Sequence, residues 1–136
     1  MQEEFDSTPP ERRPLLDIER AIIKMAVDEL AVGRAEAEAQ LAVATYGGMA
    51  HAGTHVCFMI DVPDSAPRIP AGHGSPINLD VDLEGTIVMS SIEVFIQHGR
   101  LHSVDLTEID EDDDDRSGTQ WPALSRIHPF RWGSAT

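Results

Sequence analysis

The 136-residue chain carries 24 Asp and Glu against 10 Lys and Arg, a formal net charge of −14, and its length suits a single domain with its own core. Hydrophobic residues make up 41% of the chain and charged residues 25%, which are values of globular rather than disordered proteins. Because nucleic-acid phosphates and anionic membranes repel such a chain, the composition excludes both as direct partners and favours a basic protein.

The N-terminal residues and the single cysteine bear on the cellular compartment. Cys57 has no second cysteine with which to form an intramolecular disulfide. The N-terminus is acidic where a secretion signal is basic, and no apolar stretch approaches the ~20 residues of a membrane span. We therefore expect a cytoplasmic protein, and the proline-containing residues 1–14 predict a flexible leader.

Two helices are predicted after the leader. In residues 15–32 apolar side chains recur at intervals of three and four, and Gly33 is a natural stop. Residues 34–41 are rich in alanine and predict a second, shorter helix. The apolar stripes of the first helix are Leu15, Ile18, Ile22 and Met25, with Ile23, Val27 and Leu30 beside them.

The hydrophobic period then changes to two, which indicates strands. Residues 56–62 alternate with Val56, Phe58, Ile60 and Val62 on one face, and Pro63 ends this strand. Residues 63–76 hold four prolines and two glycines and predict a long loop. A strand at about 42–50 is weakly patterned. The clearest strand, 77–84, has Ile77, Leu79, Val81 and Leu83 facing one way and Asn78, Asp80, Asp82 and Glu84 facing the other.

Residues 86–106 are predicted to form a hairpin that turns at residues 97–99. A two-residue loop would oppose Val94 to Ser103, whereas a three-residue loop opposes Val94 to His102 and leaves a glycine where positive φ is needed. The three-residue loop keeps the apolar side chains of the two arms on one face, so we favour it.

These elements predict an α+β fold with two N-terminal helices packed on one face of a four- or five-stranded, mostly antiparallel sheet. The other face should be partly solvated and should display Asp80, Asp82 and Glu84. The predicted organisation is a leader at 1–14, an α+β domain at 15–107, an acidic loop at 108–118 and an aromatic, arginine-containing tail at 119–136.

The acidic loop concentrates the charge, since residues 105–115 alone carry eight acids. A calcium-binding EF-hand loop starting at Asp110 needs Gly and Glu where the chain has Asp115 and Trp121, so that motif is excluded. In the tail, Trp121 could anchor a partner, or the segment could fold back so that its arginines neutralise the acids. The predicted partner-binding residues are Asp80, Asp82, Glu84, Asp110, Asp112, Asp113, Asp114 and Trp121.

Few residues point to catalysis. His51 and His55 have the spacing of zinc hydrolases, but their segment is too rich in glycine for a helix, and in a strand they lie ~13 Å apart. Cys57 has only His55 nearby to activate it. A small metal-dependent enzyme that uses His51, His55 or Cys57 with Asp61 is therefore an alternative, while the leading interpretation includes no catalytic residue, metal or cofactor.

Several short motifs, spread over residues 15–122, resemble a group of small uncharacterised bacterial proteins, mostly actinobacterial, some of which are similar to immunity proteins of toxin systems. The resemblance implies a binding role and carries over no active-site residue. We therefore expect a non-enzymatic, immunity-type inhibitor of a basic protein, with a DNA-mimicking regulator as a further alternative. The motifs are Ile18-Glu19-Arg20, Asp61-Val62-Pro63, Ala66-Pro67-Arg68-Ile69-Pro70, Leu83-Glu84-Gly85, Gly99-Arg100-Leu101 and Trp121-Pro122.

Overall fold

The structure is a computed structural model that describes residues 13–51, 54–112 and 119–130, without the side chains of residues 51, 54 and 55. None of the helices in these ranges is long and apolar enough to cross a membrane. The elements are β1 (Arg13–Pro14), α1 (Asp17–Val27), α2 (Arg34–Val43), β2 (Thr45–His51), β3 (Thr54–Asp61), β4 (Ile77–Val81), β5 (Ile87–Gln97), β6 (Arg100–Asp110) and β7 (Ile127–Pro129), with a turn of 3-10 helix at Leu124–Arg126.

The two helices confirm the α part of the predicted fold, with different ends. The first helix stops at Val27 rather than at 32, although Leu30 beyond it is still buried. The second helix extends two residues further than predicted, to Val43. Between them Gly33 has a φ of 84°, and a side chain there would collide with Ile69, whose Cγ2 atom lies 2.7 Å from the place of a Cβ.

All strands join one antiparallel sheet in the order β1-β2-β3-β6-β5-β4-β7. The described residues form seven strands rather than the predicted four or five, because the weakly patterned strand at about 42–50 is present as β2 and two short edge strands are added to the predicted set. Residues Arg13–Pro14, which the sequence assigns to the leader, pair with β2, and Ile127–Pro129 from the tail pair with β4. Strands of two and three residues are too short to show an alternating pattern, so only their tertiary contacts reveal them.

The strand predicted at 77–84 is shorter than expected. β4 ends at Val81, and Leu83, which the alternation places with the core residues, is 57% exposed. The chain leaves the sheet here because it must reach β5 through a turn in which the N–H of Ile87 donates to the carbonyl of Glu84. Asp82 and Glu84 therefore lie on the connection to β5 and not on a continuous strand face.

The predicted three-residue loop of the hairpin is wrong. The turn has two residues, His98 and Gly99, both with positive φ, and it pairs Gln97 with Arg100. A register shift follows directly, because His102 is an extra residue between the Ile96–Leu101 and Phe95–Ser103 pairs. This bulge brings Val94 opposite Val104, so the apolar side chains share a face despite the tight turn.

The core lies between the helices and one face of the sheet. α2 packs against β6, whereas α1 packs against β4, β7 and the 3-10 turn. The first helix therefore packs on residues of the predicted tail as well as on β4. The core side chains that are fully buried include Ile22, Ile23, Val27, Val56, Phe58, Leu79, Ile92, Val94, Leu101 and Leu106.

Candidate functional site

Two acidic segments that are about 25 residues apart in the sequence meet at one end of the sheet. Ile87 pairs with Asp110 in the register of β5 and β6, which brings the connection after β4 beside the end of β6. The Thr86 hydroxyl donates to the Asp110 carboxylate, and the N–H of Glu111 donates to the Thr86 carbonyl over 2.8 Å. We call this region the acidic end, and its described carboxylates are Asp82, Glu84, Glu108, Asp110, Glu111 and Asp112.

The backbone of the acidic end is fixed by its own hydrogen bonds. Asp110 Oδ1 accepts the N–H of Asp112 over 2.9 Å in addition to the Thr86 hydroxyl, which shapes the turn that leaves β6. Glu111 and Asp112 are exposed, whereas Asp110 is half-buried. Asp110 therefore has a structural role, and its two neighbours direct their charges to solvent.

The Arg126 guanidinium, at the end of the 3-10 turn, neutralises part of this charge. The N–H of Asp82 donates to the Arg126 carbonyl over 2.8 Å, and the Arg126 guanidinium donates to the Asp82 carbonyl. Arg126 Nη1 also lies 3.2 Å from Glu84 Oε1. His128 Nε2 lies 3.0 Å from Asp82 Oδ2. Residues 119–130 thus fold back on the acids, which is one of the two arrangements considered for the tail. Glu84 remains 72% exposed, and within the described residues the acidic end holds six carboxylates and the Arg126 guanidinium.

The other six Arg and Lys side chains in the described ranges are bonded away from the acidic end. Among the described residues, six carboxylates and one guanidinium therefore lie at the acidic end, which gives these residues a net negative charge. Three of the other basic side chains pair with carboxylates: Arg13 with Glu19, Lys24 with Asp28 and Glu38, and Arg100 with Asp64. The other three donate to backbone carbonyls: Arg20 to those of Leu41 and Ala44, Arg34 to that of Asp28, and Arg68 to that of His98.

The sheet face opposite the helices carries further acids. Asp80 is exposed on β4, as the alternation predicted. Glu93 on β5 stands directly opposite Asp105 on β6, so two carboxylates face each other across neighbouring strands. Glu93, Asp105, Glu108 and Glu111 are not among the residues predicted from the sequence, because only the exact strand register shows which acids lie close together.

Trp121 has a packing role that the sequence did not reveal. Its ring meets Phe58 edge-on with ring centroids 6.1 Å apart, and Phe58 in turn stacks on Tyr46 at 5.5 Å. The half-buried indole therefore closes one border of the core. Its predicted contact with a partner stays a prediction, and Asp113 and Asp114 lie outside the described residues.

The candidate catalytic groups are spread over two neighbouring strands. His51 ends β2 and His55 belongs to β3, but their side chains lie outside the described part of the structure. Cys57 is buried on β3 opposite Asp105, and Asp61 ends the same strand opposite Thr45. Among the side chains that the structure describes, no three His, Cys, Asp or Glu are grouped so that they could hold a metal ion. The enzyme and DNA-mimic alternatives both stay predictions.

Two open clefts lie away from the acidic end. One, of about 680 Å³, runs between the helices and is lined by Arg20, Lys24 and Glu38. The other, of about 360 Å³, lies at the hairpin turn beside Arg68 and Arg100. The four basic side chains at these clefts, Arg20, Lys24, Arg68 and Arg100, are engaged in the hydrogen bonds and ion pairs given above. Comparison of the chain with protein-family models, with curated proteins and with solved structures gives no match.

Proposed function

We propose that this protein is a non-enzymatic binding module that engages a basic protein through the acidic end. The observation that carries the proposal is that the segments 82–84 and 108–112 meet at one end of the sheet, where hydrogen bonds hold them together. A preformed cluster of carboxylates costs little ordering entropy when a partner binds. It also keeps its charge accessible, because Glu84, Glu111 and Asp112 are exposed.

The partner that this chemistry fits presents Arg and Lys side chains. Complementary charge increases the rate of association and disfavours acidic competitors. Most intracellular proteins that bind nucleic acid have such a basic surface. An immunity-type inhibitor that covers the basic surface of a nuclease-like toxin in the cytoplasm is the specific role we propose, in agreement with the resemblance of the short motifs.

The proposal can be tested with two variants of equal net charge. The first neutralises the acidic end with Glu84→Gln, Glu111→Gln and Asp112→Asn. The second makes the same three kinds of change on and beside the helices, with Glu29→Gln, Glu36→Gln and Asp17→Asn. Five of the six side chains are exposed and Glu36 is half-buried, so the two proteins should fold alike.

Each protein is used for affinity capture from cells of the source organism, and a captured protein is then purified for binding measurements. We expect a basic protein that binds the wild type and the helix variant equally, and that binds the acidic-end variant about tenfold more weakly at low salt. Its dissociation constant should rise steeply with salt concentration because screening weakens exposed charge pairs. An acidic partner, or equal binding by all three proteins, would contradict the proposal.

A further inference from the structure

The acidic end also contains a group of exposed apolar side chains. Met89 on β5 is 47% exposed and stands opposite Ile109 on β6, which is 43% exposed. Val88, the residue next to Met89 at a register shift, is 54% exposed, and Leu83 on the connection from β4 is 57% exposed. Met89 and Ile109 form a cross-strand pair on the sheet face away from the helices, and Val88 and Leu83 lie at the same end of the sheet. We call these four side chains the apolar patch.

The exposed apolar side chains of the described residues are concentrated at this end of the sheet. The described residues include ten large apolar side chains that are exposed, and four of them belong to this one end of the sheet. Single exposed apolar residues are common on protein surfaces, whereas grouped ones with a polar border mark interaction sites. The six carboxylates that define the acidic end lie at this same end of the sheet.

Backbone structure holds the patch in an exposed position. The register shift between the Ile87–Asp110 and Met89–Ile109 pairs leaves Val88 as an extra residue, and such an irregularity redirects side chains from the regular alternation. The turn from Glu84 to Ile87 and the contact of Thr86 with Glu111 fix the surrounding chain. The patch is therefore present before any partner arrives.

We propose that the apolar patch is the centre of the partner-binding site, and that its occupant is a basic protein segment with apolar side chains between its arginines or lysines. This inference rests on the proposed function and makes it more specific. The carboxylates at this end of the sheet select a basic partner by charge complementarity, since they would repel an acidic or strongly polar anionic one. The apolar centre adds affinity that salt does not screen, so a purely polar polycation should bind more weakly.

The test uses two synthetic peptides of equal length and charge, one alternating Arg with Leu and the other alternating Arg with Ser. Protein labelled at the methionine methyl groups provides the readout, because Met89 lies in the patch and Met49 is similarly exposed, at 54%, on the distant strand β2. We expect the Arg–Leu peptide to shift the Met89 signal and to bind on the order of tenfold more tightly than the Arg–Ser peptide.

Variants then separate the patch from the carboxylates of the acidic end. The pair Met89→Gln and Ile109→Thr should reduce Arg–Leu binding to the Arg–Ser level and leave the salt dependence unchanged, whereas Met49→Gln should have no effect. Equal binding of the two peptides, or wild-type affinity in the patch variant, would overturn this inference and leave the proposed function standing. Failure of both peptides to bind the wild type at low salt would overturn the proposed function as well.

Discussion

A buried glutamine provides the sharpest test of how this fold is held together. Gln40 on α2 is 0% exposed, and its amide group bonds three backbone groups in two other segments of the chain. Nε2 donates to the carbonyl of Pro67 over 2.7 Å and to that of Gly99 over 2.8 Å. Oε1 accepts the N–H of Leu101 over 2.9 Å. One side chain thus joins the helix, the long loop and the hairpin turn.

The perturbation that isolates these bonds is Gln40→Met, because methionine has a similar length and helix propensity but no amide. The Leu101 N–H would be left buried without a partner, which costs about 1–3 kcal/mol. The Gly99 carbonyl keeps a second bond, from the N–H of Ile69 over 2.8 Å, and Pro67 is exposed to water. We therefore expect a net loss of about 2 kcal/mol, a large share of the roughly 5–15 kcal/mol typical of a domain.

The assay is equilibrium unfolding in urea, with Gln97→Met as the matched control. Gln97 is exposed on the same hairpin, so the identical change there should alter the free energy of unfolding by less than about 0.5 kcal/mol. The denaturant dependence should be the same in both variants, because neither changes the surface exposed on unfolding. If Gln40→Met were as stable as Gln97→Met, the network would not be what fixes the hairpin turn.

Three further outcomes are expected. Arg13→Met should cost about 3 kcal/mol by thermal unfolding, because Glu19, whose side chain is 2% exposed, loses the guanidinium that bonds both of its oxygens; adding Glu19→Gln should restore part of this loss. His98→Asn should stabilise the protein by about 0.5 kcal/mol, since asparagine accepts a φ of 54° more readily. The hydrogen bond that Lys24 donates to the Asp28 carboxylate raises the pKa of Lys24 above 10.5, so the contribution of this pair should persist below that pH and disappear as the pH rises through the folded-state pKa, as NMR titration can show.

These outcomes are each open to contradiction. A double variant of Arg13 and Glu19 no more stable than Arg13→Met alone would show that the buried charge is not what makes the single change costly. If His98→Asn destabilised the protein, the His98 imidazole would make a contact that contributes more to stability than the preference of asparagine for positive φ. If Lys24 titrated at 10.5, its ion pair with Asp28 would contribute nothing to the stability of the fold.

The regular elements could be predicted because their patterns are local. Residues 77–81 alternate strictly, residues 56–62 place Val56, Phe58, Ile60 and Val62 on one face, and the first helix has a wide apolar stripe. Each pattern therefore indicates both the element and its core-facing side. The edge strands could not be predicted, because Arg13 is placed by its contacts with Glu19 and with the Tyr46 ring, 3.8 Å away. Such contacts depend on the finished fold and leave no periodic trace in the sequence.

Four of the six carboxylates of the acidic end, Asp82, Glu84, Asp110 and Asp112, could be predicted from the sequence, but not their arrangement. The favoured three-residue loop would have placed Ser103 opposite Glu93, whereas the bulge at His102 places Asp105 there. A single extra residue therefore decides which carboxylates face each other. The apolar patch was missed for a similar reason, because Leu83 follows the alternation of core residues and only the early end of β4 exposes it.

Hydrogen–deuterium exchange of the wild-type protein, alone and bound to its captured partner, tests the central claim most directly. We expect the backbone amides of residues 82–89 and 108–112 to exchange more slowly when the partner is bound, with little change in the two helices. Protection confined to the helices or to the hairpin turn at 97–100 would place the partner elsewhere and contradict the account.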